Sequence, residues 1–309
     1  MKRTALFTSL SVATFSLGVV VLSAGCVAGQ EGTDQQSSAQ SLGHEHMMLV
    51  GHQATAKPEQ ASGPTGAANP NNLAYYGGPV IQHVNVVPVF WNANVAYKNY
   101  LEAFYSGITT GPVMSFLSQY STTSPAQTIG NGTRGTPYTD NQTSTNVTDA
   151  AVQARLNALF TAGKLPAPNN NNLYMVHFPP GVSVTNSQGQ ASCSVFCAYH
   201  GTYKRNNQDV YYGIMPDQGS GGCQNGCGSS SIIARNTTEV ASHEFAEAVT
   251  DAAVGLATTI SAPLAWYNSA GGEIGDLCNG VLGYAKLGDG NTYAVQQLWS
   301  NKVGACVTP

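Results

Sequence analysis

The stretch "TTEVASHEFAEAVTDAAV", residues 237–254, decides how the chain is read, because it sets His243, Glu244, Glu247 and Asp251 on one predicted helix. Thr237 or Thr238 is available as its N-cap and Gly255 as its stop. Four residues turn a helix by about 400°, so His243, Glu247 and Asp251 fall near one face, about 6 Å apart per step. Two such side chains one turn apart can chelate one ion, while Glu244, about 100° round, addresses a water on that ion. An acidic helix is more commonly a solvated face. Here Phe245, Ala246, Ala248 and Val249 leave few positions for solvent, and Ala241, Ala252 and Ala253 suggest close packing. From Asn236 to Ala285 the six acidic residues Glu239, Glu244, Glu247, Asp251, Glu273 and Asp276 meet no Lys or Arg. Carboxylates buried without counter-charge must take up protons or hold a cation.

Outward from the helix, the pattern predicts an α/β (α+β) fold, a single mixed-sheet domain with one core. "VNVVPVFW" (84–91), "NLYMVHF" (172–178) and "DVYYGIMP" (209–216) read as strands, Pro88 placing the first at an edge or bulge. Two helices split near Gly111 and Pro112 carry Tyr97, Leu101, Phe104, Val113, Phe116 and Leu117 at helical spacing. A third begins at a Thr148 or Asp149 cap. Residues 29–72, rich in Gln, Ser, Ala and Gly, read as a disordered linker ahead of a domain over 73–309. Within that linker "GHEHMMLVGH" offers His44, His46 and His52 with Met47 and Met48, read as a polar tail rather than a metal site.

Lys2, Arg3 and the apolar run from Ala5 to Val21 mark residues 1–28 as a signal peptide, so the chain is expected to be secreted, with no transmembrane anchor after processing. Cys26 offers a lipid-anchor position, against ordinary cleavage after Ala28 or Gly29. The remaining cysteines, Cys193, Cys197, Cys223, Cys227, Cys278 and Cys306, are even in number, as a disulfide set in an oxidising compartment requires. Cys278 with Cys306 is the preferred bridge, and a four-thiolate zinc site from the two Cys-x-x-x-Cys pairs is the rival. Only 9% of residues are Asp, Glu, Lys or Arg, against about a quarter in an ordinary domain. Such a neutral surface has no basic stripe and excludes nucleic acid as a partner.

Taken in order, "YYGGPV" (75–80), "CSVFCAYHG" (193–201), "CQNGC" (223–227), "SHEFAEAVTD" (242–251), "AWY" (265–267), "EIGDLC" (273–278), "QQLWSN" (296–301) and the final "AC" (305–306) resemble the phosphate-induced, or EXORDIUM-like, family of extracellular proteins. The Asn- and Thr-rich centre departs from it. The resemblance implies a secreted relative of wall-associated proteins linked to growth and nutrient responses, with His200, His243, Glu244, Glu247, Glu273 and Asp276 as the matching residues. The His-Glu-x-x-Glu helix also resembles zincin metallopeptidases, departing at Glu247, where that family carries a second histidine.

One histidine and two carboxylates bring a zinc site to a net charge of about zero and weaken its hold on water acidity. Zinc is the first expectation; calcium, manganese or a purely structural site gain weight. Glu273 and Asp276 are first choices as further ligands and His200 the second. As an enzyme, the protein would use Glu244 as general base, Tyr267 to steady an oxyanion, and the edge of the "DVYYGIMP" strand to bind an extracellular peptide. The competing expectations are a non-catalytic binding or signalling protein, directed at a wall component and carrying a structural cation, and a carbohydrate-binding module.

Overall fold

The computed structural model describes residues 46–51 and 69–309. The signal segment, Cys26, His44, His52 and most of the expected linker lie outside the described residues. A seven-stranded mixed sheet organises the chain. Its strands are β1 (His46–Leu49), β2 (Asn85–Phe90), β3 (Thr133–Arg134), β4 (Tyr138–Thr139), β5 (Asn172–His177), β6 (Phe196–Arg205) and β7 (Gln208–Met215). Across the sheet the order is β1-β6-β7-β5-β2, with β3 and β4 both on the far side of β2. The β1/β6 and β6/β7 pairs are antiparallel and the rest parallel.

Strand alternation sorts the side chains onto two faces. Val86, Phe90, Leu173, Met175 and Ala198 pack on one side with α1 (Lys98–Ile108), α2 (Pro112–Leu117) and α5 (Ile233–Thr250). Val87, Val89, Tyr174, Val176, Tyr199 and Tyr212 pack on the other with α3 (Asp149–Thr161). His200, two residues beyond Ala198, therefore points toward α5. The helix is covered on its far side by a hairpin of β8 (Leu282–Lys286) and β9 (Thr292–Gln296). A helix enclosed this way has no solvent face, and all residues from Asn236 to Thr250 are buried.

The sequence places several features correctly. Gly111 adopts φ +78 between α1 and α2, and the Thr148 hydroxyl accepts from the Ala151 N–H at the start of α3. Pro88 is neither at an edge nor in a bulge. The carbonyls of Val86 and Phe90 accept from Gly135 and Asp140, so Pro88 faces the gap between β3 and β4, where no partner needs its missing N–H.

Other expectations are corrected. α5 begins at Ile233, one turn before the expected caps. Thr237 instead bonds the Ile233 carbonyl and Thr238 the Ala294 carbonyl of β9. The helix stops at Thr250, four residues ahead of the Val254–Leu256 turn that contains Gly255. Residues 46–49, assigned to the linker, form an edge strand because Met47 and Met48 enter the core on opposite faces of the sheet, 6% and 2% exposed. The "DVYYGIMP" strand, β7, has no free edge, since β6 pairs along one side of it and β5 along the other.

Three disulfides join Cys193 to Cys223, Cys197 to Cys227 and Cys278 to Cys306, which removes the thiolate zinc reading. The first two fasten the start of β6 to the α4 turn (Cys223–Gly226) and its exit just ahead of α5. The third closes a loop of sequence separation 28. Cys278→Ser with Cys306→Ser is expected to lower unfolding free energy by about 3 kcal/mol, read from the urea midpoint; an unchanged midpoint would show that this loop does not open on unfolding. Among the described residues no helix is long and apolar enough to cross a membrane.

Candidate metal centre

Three segments bring the imidazoles and carboxylates together. α5 supplies His243, Glu244 and Glu247, β6 supplies His200, and the loop 273–276 supplies Glu273 and Asp276. His243, Glu244, Glu247 and Glu273 have no exposed surface and His200 has 1%, so the solvated-face alternative does not hold.

Glu247 is the hinge of the arrangement. Its Oε1 accepts from the backbone N–H groups of Gly275 and Asp276 at 3.2 and 3.0 Å. The same oxygen lies 3.1 Å from His243 Nε2, and Oε2 lies 3.5 Å from His200 Nδ1. His200 Nδ1 also meets Glu244 Oε2 at 3.1 Å, and its Nε2 is 3.5 Å from Glu273 Oε1. Asp276 Oδ1 stands 3.7 Å from His243 Nε2. Two ligand groups result, His243 with Glu244 and Glu247, and His200 with Glu247 and Glu273. Within each, the ligating atoms lie inside 4.8 Å of one another, and the residues could hold a metal ion.

A backing layer orients these side chains. His243 Nδ1 meets Gln296 Oε1 at 2.9 Å, while Gln296 Nε2 donates to the Gly275 carbonyl at 2.7 Å and fixes the amide's orientation. An amide oxygen only accepts, so Nδ1 carries the proton of the neutral imidazole and the Nε2 lone pair faces the carboxylates, as metal-binding histidines require. Gly275 lies so close that a Cβ there would stand 2.7 Å from His243 Nδ1 and 2.9 Å from Glu247 Oε1. Gly275→Ala is therefore expected to shift both side chains and weaken divalent-ion affinity about 10- to 100-fold. Competition against a chromophoric chelator reads the change, and an unaltered affinity would remove His243 and Glu247 from the ligand set.

The electrostatics follow from burial and from the absence of Lys and Arg between Asn236 and Ala285. Burial lowers the pKa of His200, but Glu273, Glu244 and Glu247 outweigh it and hold the imidazole well above its ordinary value. His243 is likewise disfavoured by burial, yet Glu247, Glu244 and Asp276 push it up to about 10. Burial raises the carboxyls of Glu244, Asp251 and Asp276, and takes Glu239 to about 6. Without a cation, protons carry the compensating charge.

Asp251 is in neither ligand group; it sits at the C-terminal end of α5, where its Oδ1 accepts from the Ala265 N–H at 2.8 Å. Tyr267 is buried beside the acidic loop; burial first, then Glu273 and Asp276, raise its phenol pKa, so it remains a donor. Gln296, within "QQLWSN", has no sequence signal of a site role, since an uncharged amide at the end of an apolar strand marks no chemistry by itself. No protein-family model, no curated protein and no solved structure matches this chain.

Proposed function

We propose that this protein is a secreted metal-dependent hydrolase of peptide bonds, with zinc as the first ion and calcium or manganese as alternatives. One observation carries the reading. Among the described residues His243 Nε2, Glu244 Oε1 and Glu247 Oε2 are buried and make no hydrogen bond, although they lie on adjacent turns of one helix. Each buried polar atom left unpaired costs about 1–3 kcal/mol, and more when charged. A divalent cation on His243 and Glu247, with a water between it and Glu244 Oε1, would offset that cost.

His243 and Glu247 hold the ion, joined by Asp276 or by the His200 and Glu273 pair. A bound divalent cation supplies Lewis acidity to a carbonyl and acidity to a water. Glu244 Oε1 would be the group that accepts a proton from a water at the site, while its Oε2 stays anchored on His200 Nδ1 at 3.1 Å. Tyr267 donates toward developing negative charge. The disulfides support an oxidising setting, and the ordered motifs that resemble the EXORDIUM-like family support an extracellular, wall-associated one.

A second reading rests on a different observation. The full burial of the ligand groups favours a structural cation that locks the 273–276 loop onto α5 in a non-catalytic binding protein. Elemental analysis of purified protein and a fluorogenic peptide-library assay separate the two. A stoichiometric ion with hydrolysis that chelation abolishes is the expected result. A stoichiometric ion with no turnover selects the structural reading, and no ion with unchanged melting after chelation sinks both.

A further inference from the structure

We propose that the centre holds two divalent cations bridged by Glu247, the second of them on His200 and Glu273, a step that rests on the preceding metal reading and divides its ligands between two ions. Two atoms bound to one zinc at about 2.0–2.2 Å each stand at most about 4.4 Å apart. Each ligand group gathers its atoms within 4.8 Å, yet His243 falls in one group and His200 in the other, and no group among the described residues contains both. An ion on Glu247 therefore takes one histidine or the other. Glu247 alone belongs to both groups.

The two oxygens of Glu247 face different imidazoles. Oε1, fixed by the N–H groups of Gly275 and Asp276, lies 3.1 Å from His243 Nε2. Oε2 lies 3.5 Å from His200 Nδ1, is buried, and makes no hydrogen bond among the described residues. A carboxylate that turns one oxygen to each histidine is placed to bridge two ions, which in two-metal sites stand about 3.5–4 Å apart. The histidines are also held alike. Gln296 Oε1 meets His243 Nδ1 at 2.9 Å, and Glu244 Oε2 meets His200 Nδ1 at 3.1 Å. An acceptor at Nδ1 takes that nitrogen's proton and leaves Nε2 for ligation. Asp276 Oδ1, 3.7 Å from His243 Nε2, completes the first set, and Glu273 Oε1, 3.5 Å from His200 Nε2, completes the second.

Charge decides between one ion and two. Glu244, Glu247 and Glu273 have no exposed surface, and the Asp276 side chain has 8%. Ionised, these carboxylates carry four negative charges, and no Lys or Arg lies between Asn236 and Ala285. One divalent cation leaves half of that charge buried and uncompensated, which is costly. Two cancel it. In the hydrolytic reading the pair separates two tasks, one ion polarising the scissile carbonyl and the other acidifying the water.

The test uses the full chain, stripped of metal, titrated with Zn²⁺ and dialysed, with bound zinc counted by elemental analysis and its surroundings read by X-ray absorption at the zinc edge. Two zinc ions per chain are expected, with zinc–zinc scattering at about 3.5–4 Å. His200→Gln is expected to lose one of the two ions, keep the other and show no zinc–zinc scattering. Saturation of the unaltered protein at one ion overturns the proposal and leaves the single-ion reading standing. Two ions without the short zinc–zinc distance also overturn it, because the second then lies away from the Glu247 bridge. A folded His200→Gln protein that still holds the close pair does the same; if that variant does not fold, the unaltered protein decides alone. No bound ion sinks the metal reading together with this one. A close pair in a protein that cleaves no peptide refutes the hydrolase and leaves the two-ion centre in place.

Discussion

Glu244→Gln is expected to lower kcat for peptide hydrolysis by about 10²- to 10⁴-fold while the ion content stays stoichiometric. The amide has the carboxylate's shape, and its oxygen can still accept from His200 at the position now occupied by Oε2, 3.1 Å from Nδ1. What disappears is the basic Oε1, which has no other hydrogen-bond partner among the described residues. Removing one carboxylate also lessens crowding with Glu247, whose charge raises the Glu244 pKa after burial does. The variant should therefore be no less stable than the parent. Comparing kcat, bound metal and melting temperature of the two proteins separates a lost base from a lost site. A kcat reduced less than ten-fold with the ion in place would take the base role from Glu244.

The second large effect is the response of the metal-free protein to pH. Every resolved shift in the cluster is upward: His200, Glu244, Asp251 and Asp276 are raised, Glu239 to about 6 and His243 to about 10. The unfolded chain loses its carboxyl protons near pH 4 and its histidine protons near pH 6.5. Between those values and the raised native ones, the folded state binds more protons than the unfolded state. The slope of unfolding free energy with pH is then negative. Stability contributed by these groups is present at low pH and is lost as pH rises toward about 10, the value for His243. A saturating divalent ion replaces the protons and stabilises most where they are scarce. At 100 times its dissociation constant it contributes about 2.7 kcal/mol, or roughly 5–10 °C in melting temperature for a domain of this size. Calorimetry at pH 5, 7 and 9 with and without chelator reads both trends. Metal-free stability that climbs across this range would mean that the carboxylates are compensated by something other than protons.

Much of this was legible in the sequence, and the gaps have physical causes. Gly111 and Pro112, the Thr148 cap and the i, i+4 spacing of His243 and Glu247 are local signals, and each sits where the chain predicts. β6 gave no such signal. Its residues alternate Tyr199 and Tyr203 with His200, Thr202 and Lys204, which resembles a half-solvated strand, yet the face bearing His200 is buried against α5. β1 was invisible for another reason: four residues among polar ones become a strand only through a partner about 150 positions later. The start of α5 was missed because Thr237 and Thr238, good caps in isolation, are satisfied by carbonyls of the helix and of β9. Charge without counter-charge pointed to Glu273 and Asp276 across the intervening loop. Gly275 and Gln296 act through closeness and orientation, properties that appear only once the chain is folded.

The paired bridges at Cys193–Cys223 and Cys197–Cys227 span the same separation of 30 residues and join β6 to the approach of α5. They therefore brace the centre from outside its own ligand set. Together they fix the start of the strand that carries His200 against the approach to the helix that carries His243, Glu244 and Glu247. Refolding under reducing conditions should yield a protein that takes up ion weakly and gains full affinity on oxidation; equal affinity in both states would show that the two rungs play no part in assembling the centre.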